Sequence, residues 1–135
     1  MQFVDANVFI RFLTRDDPEK AQACFELFQK AKKREILLTT SESVIAEVVY
    51  VLSSKQLYHL PREQIRALLY PLLSLPGLKL THRQMYLRAL DLYAAYSIDI
   101  EDALIGAQME RQKVTELYSY DRDFDHLPEV TRLEP

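Results

Sequence analysis

Four acidic residues stand where carboxylates can do chemistry: Asp5, Glu47, Asp102 and Asp121. Asp5 and Asp121 each follow a short apolar segment directly. Glu47 lies on an apolar face of a predicted helix, where a carboxylate is costly to bury unless it is paired or bound to a metal. Carboxylates gathered without Cys or His form a hard-oxygen site, which favours Mg²⁺ or Mn²⁺ over zinc. Such a site can activate water for a metal-assisted attack.

Each acid taken alone also has a structural interpretation. An Asp just after a strand is commonly a turn or capping residue. Glu47 could pair with a buried Arg or reach solvent, and Asp102 could complete a capping arrangement with Asp99. Small residues near Asp102, including Gly106, leave room for a ligand or for close helix packing. The residue pattern therefore leaves a metal site and separate structural roles both open.

The elements that must position these acids follow from the pattern of apolar residues. Short apolar segments alternate with helical segments of more than ten residues, which predicts βαβ units and a mostly parallel sheet covered on both faces. We predict an α/β fold, a three-layer α/β/α arrangement with a mostly parallel central sheet, as one domain over residues 1–135. Ligands bind at the carboxyl ends of such strands, so Asp5 and Asp121 are expected at one edge of the sheet.

Capping residues and prolines predict where the helices begin and end. Asp17-Pro18-Glu19 is a strong helix start, and Asn7 is a suitable cap for the first helix. Pro71 is expected to kink or end the fourth helix near Tyr70. Thr81 and Asp99 are the expected caps of the last two helices. The predicted strands cover residues 3–4, 36–38, 78–80, 117–119 and 130–133. The third predicted helix covers about 42–54, and the fourth begins at residue 61. The helix after Thr81 reaches about residue 96, and the helix that starts at Asp99 reaches about residue 112.

Composition and charge narrow the class of protein. The chain is 48% apolar and 27% charged, with no apolar run near the roughly 20 residues that a membrane span needs and no pattern of a signal peptide. Its single cysteine, Cys24, fits a reducing compartment, so we expect a cytoplasmic protein without a membrane partner. Net charge is −3, but setting the four acids aside leaves 16 acids against 17 basic residues. This balance permits a nucleic-acid partner without supporting one.

Four segments, in this order, carry a family resemblance: residues 3–13, 40–52, 100–107 and 118–124. They resemble the motifs of PIN domains, and in particular those of the VapC-type ribonuclease toxins of prokaryotic toxin–antitoxin pairs. The resemblance covers essentially the whole chain. It implies a ribonuclease that depends on Mg²⁺ or Mn²⁺ and leaves a 5′-phosphate and a 3′-hydroxyl.

The resemblance also implies roles for individual residues. The metal-binding and catalytic acids of the family correspond to the four acids named above, and Asp123 matches a position that is acidic in many members. Asn7 and Ser119 match polar supporting positions. Our hypothesis is that Asp5, Asp102 and Asp121 hold the principal ion, and that Glu47 orients the attacking water or shares a second ion.

Partners and alternatives stay open at this point. The resemblance implies an RNA substrate, a cognate antitoxin that inserts a segment into the acidic groove, and a homodimer, for which residues 58–75 are either the surface or part of the core. The alternatives are a non-catalytic PIN-fold module that binds RNA or protein, and a DNA-directed nuclease or phosphatase.

Tyr118 and Tyr120 are expected to be half-buried side chains; the alternative is that their rings are exposed and stack on bases. Five basic residues could contact phosphates or serve as ordinary surface and helix-end cations: Arg11, Arg15, Arg111, Lys113 and Arg122.

Overall fold

The computed structural model describes all 135 residues. It contains six α-helices, four short strands and one 3₁₀ helix. The strands are β1 (Gln2–Phe3), β2 (Leu38–Thr39), β3 (Glu116–Tyr118) and β4 (Thr131–Leu133). The helices are α1 (Ala6–Thr14), α2 (Pro18–Lys32), α3 (Glu42–Ser53), α4 (Arg62–Leu73), α5 (Arg83–Ala95) and α6 (Ile100–Gln112), and the 3₁₀ helix covers Arg122–His126.

All strand pairing is parallel, which confirms the predicted α/β class with parallel strands. β1 pairs with β2, and β3 pairs with β4. The predicted strand at residues 78–80 is reduced to a single parallel bridge between Leu78 and Leu38. The two pairs are not joined by backbone hydrogen bonds into one ladder. With two or three residues each, these strands have few backbone groups with which to extend a sheet.

Capping explains where the helices begin. Asp17 caps α2 with Pro18 in the first turn, Ser41 caps α3 and Asp99 caps α6, each close to the predicted boundary. Two expected caps are wrong. Asp5, not Asn7, caps α1, because its carboxylate accepts the Ala6 amide at 2.8 Å and the helix begins one residue after it. α5 begins after His82, which has a left-handed backbone and makes no side-chain capping bond, so Thr81 is not its cap.

Pro71 does not end α4, contrary to the expectation. The helix continues to Leu73, so the proline lies in its last turn. There the missing amide removes a single hydrogen bond, and the Ser74 hydroxyl donates to the carbonyl of Tyr70 at 2.7 Å. A proline this close to the end of a helix is therefore tolerated.

A core cluster of 30 buried residues connects the helices to the strands. α1 and α2 meet through the rings of Phe9, Phe12 and Phe28, in one tilted and one edge-to-face pair. The apolar face of α4, which includes Ile65 and Leu69, is fully buried. These residues of the 58–75 region therefore belong to the core and are not an exposed dimer surface. No helix is both long enough and apolar enough to cross a membrane.

Candidate metal centre

The start of α6 holds the first acid of the candidate site. Asp99 caps the helix by accepting the Asp102 amide at 2.8 Å. The capping function that the sequence left open for Asp102 thus belongs to Asp99, and the Asp102 carboxylate is free of it. Gly106, one turn further on, allows close packing, since a Cβ there would lie 2.9 Å from a methyl carbon of Leu127.

The segment after β3 holds two more acids. Asp121 caps the short 3₁₀ helix by accepting the Asp123 amide at 2.9 Å, and its own amide donates to the Ser119 hydroxyl at 3.0 Å. Phe124 is buried and anchors this segment in the core. The Ser119 hydroxyl therefore helps to fix the backbone at Asp121.

These two elements bring Asp102, Asp121 and Asp123 together. One carboxylate oxygen from each lies within 4.8 Å of the others. Asp102 is buried, with 7% of its surface exposed, whereas the other two are exposed. Burial raises the pKa of Asp102 to about 6, and the neighbouring charges of Asp99, Asp121 and Asp123 act in the same direction.

The arrangement fits a hard divalent cation. The Oδ2 atom of Asp102 is buried and has no hydrogen-bond partner, although such atoms are normally satisfied. No lysine or arginine forms an ion pair with any of the three acids. A buried carboxylate without a donor beside two more carboxylates is the oxygen-only donor set that Mg²⁺ and Mn²⁺ prefer.

Two of the predicted site acids lie outside this group. Asp5 is exposed at the start of α1, where its Oδ1 atom caps the helix, and Asn7 is exposed in the first turn of the same helix. Glu47 is exposed on α3. Neither acid belongs to a group of three or more with the spacing found at Asp102. The 4.8 Å spacing is thus met by Asp102, Asp121 and Asp123, and Asp5 and Glu47 do not meet it.

Glu47 instead lines a groove between α3 and α6. The groove has a volume of about 740 Å³ and contains no basic residue among the side chains that line it. Glu42 and Glu101 add two carboxylates to that of Glu47, and the floor is apolar, with Leu104 and Met109. Neither Glu42 nor Glu101 is among the site residues predicted from the sequence. Their positions in the first turns of their helices are typical of ordinary helix-start acids, so no sequence signal separated them.

The aromatic and basic side chains near the acids differ in their availability. Tyr118 and Tyr120 are 69% and 71% exposed, so the expectation that they are half-buried is wrong. Arg122 lies between two of the clustered acids in sequence and forms no ion pair, whereas Arg11 is held by Asp16 at 2.8 Å. Arg15, Arg111 and Lys113 are exposed at the ends of helices.

Comparison with protein families agrees with this architecture. A comparison with curated proteins gave no match. The chain matches the PIN domain family over residues 3–130, which is nearly its whole length. Proteins of this family are generally metal-dependent nucleases, and the cluster of Asp102, Asp121 and Asp123 could bind a metal. On this match the chain belongs to the PIN domain family.

Proposed function

We propose that the protein is a metal-dependent ribonuclease and the toxin component of a toxin–antitoxin pair. Membership of the PIN family supports nuclease activity in general. The observation that carries the proposal is the buried Oδ2 atom of Asp102, which has no partner and lies beside two further carboxylates. The resemblance to VapC-type toxins supports RNA as the substrate and toxicity as the role.

In this proposal Asp102, Asp121 and Asp123 hold Mg²⁺ or Mn²⁺. The bound cation would supply stabilisation of charge on the phosphoryl oxygens and ease deprotonation of the attacking water. The protein contributes positioning, because Asp99 fixes the backbone at Asp102 and Ser119 fixes it at Asp121. Fixed ligands lose little freedom when the ion binds.

Asp5 and Glu47 keep proposed roles outside this group of three. We propose that Asp5, which is anchored to the amino terminus of α1, completes the coordination of the principal ion, with Asn7 as its polar support. Glu47 is proposed to orient the attacking water or to share a second ion. Both acids are exposed and belong to no ion pair, so their carboxylates are available.

The surface beside the acids suits a single-stranded nucleic acid. Tyr118 and Tyr120 present exposed rings on which bases can stack, and Arg122 offers an unpaired cation for a phosphate. Extended stacking surfaces favour a polynucleotide over a small phosphate ester, which weighs against the phosphatase alternative.

The groove between α3 and α6 is the proposed docking site of a cognate antitoxin. Three carboxylates above an apolar floor complement a basic, amphipathic segment.

The resemblance further leads us to propose a cytoplasmic protein that pairs as a homodimer. Light scattering on the purified chain would measure its oligomeric state. A short neighbouring gene that encodes a DNA-binding antitoxin would support the toxin assignment.

The test is cleavage of an RNA oligonucleotide and of single-stranded DNA of the same sequence, each with Mg²⁺, Mn²⁺ or EDTA. We expect cleavage of RNA only, and only with metal. Asp121→Asn should lower the rate by at least about tenfold, because loss of a direct ligand costs no less than loss of its supporting contacts. Asp91→Asn, which removes an acid of the remote Arg66 ion pair, is the matched control and should change the rate less than twofold.

Each other outcome has a definite meaning. Cleavage that survives EDTA, or an Asp121→Asn variant with full activity, would exclude the proposed centre. RNA binding without cleavage would establish the binding-module alternative, and preference for DNA would establish the DNA-directed nuclease. Full activity of Asp5→Asn in a clean preparation would remove Asp5 from the site.

A further inference from the structure

We infer that Arg132 is a positioning residue that holds the segment carrying Asp121 and Asp123 in its metal-binding conformation. The inference rests on the proposed metal site. Arg132 lies on β4, outside the site, and its guanidinium group contacts both ends of the segment. Its Nη1 atom donates to the carbonyl oxygen of Ser119 at 3.0 Å, and its Nε atom donates to the Oδ1 atom of Asp125 at 3.0 Å.

The two contacts bracket the clustered acids in sequence. Ser119 precedes Asp121 by two residues, and Asp125 follows Asp123 by two. Because the guanidinium group is planar and rigid, it fixes the separation between the two points it binds. The ends of the segment are therefore held at a set distance by one side chain from a neighbouring strand.

The burial of Arg132 distinguishes it from the other ion pairs of the chain. Its side chain is 12% exposed, whereas those of Arg11, Arg66 and Arg88 are 39% to 46% exposed in their pairs. An exposed ion pair contributes little. The acid partners of Arg132 are 53% and 51% exposed, but the arginine itself is mostly buried and donates to three acceptors, which limits its movement. The third acceptor is Glu134, at 3.1 Å from Nη1.

The choice of partners leaves the site open to a cation. Arg132 pairs with Asp125 and Glu134, and forms no ion pair with Asp121 or Asp123. An arginine bonded to either of those acids would compete with a metal ion for the same oxygens. The guanidinium group thus orders the segment without neutralising the carboxylates that face Asp102.

Loss of this contact should weaken metal binding, because the ion would then have to order the segment itself. We expect Arg132→Gln to raise the Kd for Mn²⁺ about tenfold, the lower end of the range for residues that orient metal ligands. Asp125→Asn, which keeps the arginine and weakens one contact, should raise it less. Arg132→Lys keeps the charge but cannot bind both ends at once, so it should resemble Arg132→Gln.

The experiment is calorimetric titration of the full chain with Mn²⁺, with a thermal melt of every variant to verify folding. Arg66→Gln is the matched control, because it removes a remote arginine–aspartate pair of 2.7 Å and should leave the Kd within twofold. Hydrogen exchange in the metal-free protein provides a second readout. The amides of Asp121 and Asp123 donate to Ser119 and Asp121, and they should exchange faster in Arg132→Gln than in Arg66→Gln.

The outcomes separate the inference from the function on which it rests. A wild-type chain that binds no Mn²⁺ would overturn the proposed metal site, while exchange would still report whether Arg132 orders the segment. Unchanged exchange and unchanged Kd in Arg132→Gln would overturn the positioning role. Wild-type affinity in Arg132→Lys would show that charge alone suffices, which also contradicts the inference.

Discussion

Asp16 and Asp102 have opposite surroundings in this chain. Asp16 is exposed, and it accepts hydrogen bonds from the Tyr58 hydroxyl at 2.5 Å and from Arg11 at 2.8 Å. These donors lower its pKa to about 2. Asp102 is buried, its Oδ2 atom has no donor, and burial together with neighbouring acids raises its pKa to about 6.

The difference separates an acid with a structural role from an acid that can bind a cation. The charge of Asp16 is satisfied by the chain itself, and it holds the segment after α3 to the end of α1. The charge of Asp102 opposes folding unless a proton or a metal ion neutralises it. The number of acidic residues does not distinguish these two roles. The number of hydrogen-bond donors around each carboxylate does distinguish them.

Metal addition should produce the largest effect on stability. Mn²⁺ at about a hundred times its Kd should stabilise the wild-type chain by about 2.7 kcal/mol, or about 10 °C in Tm. The reason is that only the folded chain gathers the carboxylates around Asp102. Differential scanning fluorimetry with and without EDTA measures the shift. A Tm that does not respond to Mn²⁺ would remove the contrast between the two aspartates.

Replacement of Asp102 by asparagine should stabilise the metal-free chain, by about 1–2 kcal/mol at pH 7, because it removes a buried charge that lacks a donor. The sign follows from the raised pKa. The folded state holds the proton better than the unfolded state, so wild-type stability falls as pH rises from about 4 through about 6.

Urea unfolding of the metal-free wild type and of Asp102→Asn at several pH values between 4 and 7.5 measures this contribution. The stability of Asp102→Asn should not fall as the pH rises from about 4 through about 6, and Mn²⁺ should no longer stabilise this variant. A variant less stable than the wild type at pH 7 without metal would indicate that the carboxylate has an internal partner after all.

Replacement of Asp16 by asparagine should give a smaller effect of opposite sign. The pKa of Asp16 is lower in the folded state than its ordinary value of 3.8. Asp16 therefore stabilises the fold when the pH is above 3.8, and this contribution is lost as the pH falls toward about 2. Asp16→Asn should therefore lower the Tm slightly at pH 7, and by less as the pH falls through about 2. Tyr58→Phe, which removes the donor that lowers this pKa most, should act in the same direction, and Mn²⁺ should stabilise both variants as it does the wild type.

Local chemistry made much of the fold predictable. Asp17 with Pro18 marked the start of α2, and Asp99 marked that of α6, because capping depends on adjacent residues. Strand extent was less predictable, since pairing depends on distant backbone. The segment at residues 78–80 has the composition of a strand but forms only one bridge.

The candidate site was predictable in part. The placement of Asp102 and Asp121 follows from the turns that precede each of them, whereas the inclusion of Asp123 depends on the short 3₁₀ helix that Asp121 caps. Asp5 was expected beside Asp121 on the premise that their strands share one sheet edge. The strands form separate pairs, and Asp5 is not in the group. The exposure of Tyr118 could not be read from an alternating apolar pattern in so short a strand.

The Oδ2 atom of Asp102, which has no hydrogen-bond partner, has a consequence for the rate at which the protein would be degraded in a cell. If the ion binds as proposed, a chain without it spends a larger fraction of time unfolded, and proteases act on that fraction. Turnover would then be faster for the empty form than for the loaded one. Scarcity of free divalent cation would reduce the amount of the enzyme as well as its activity.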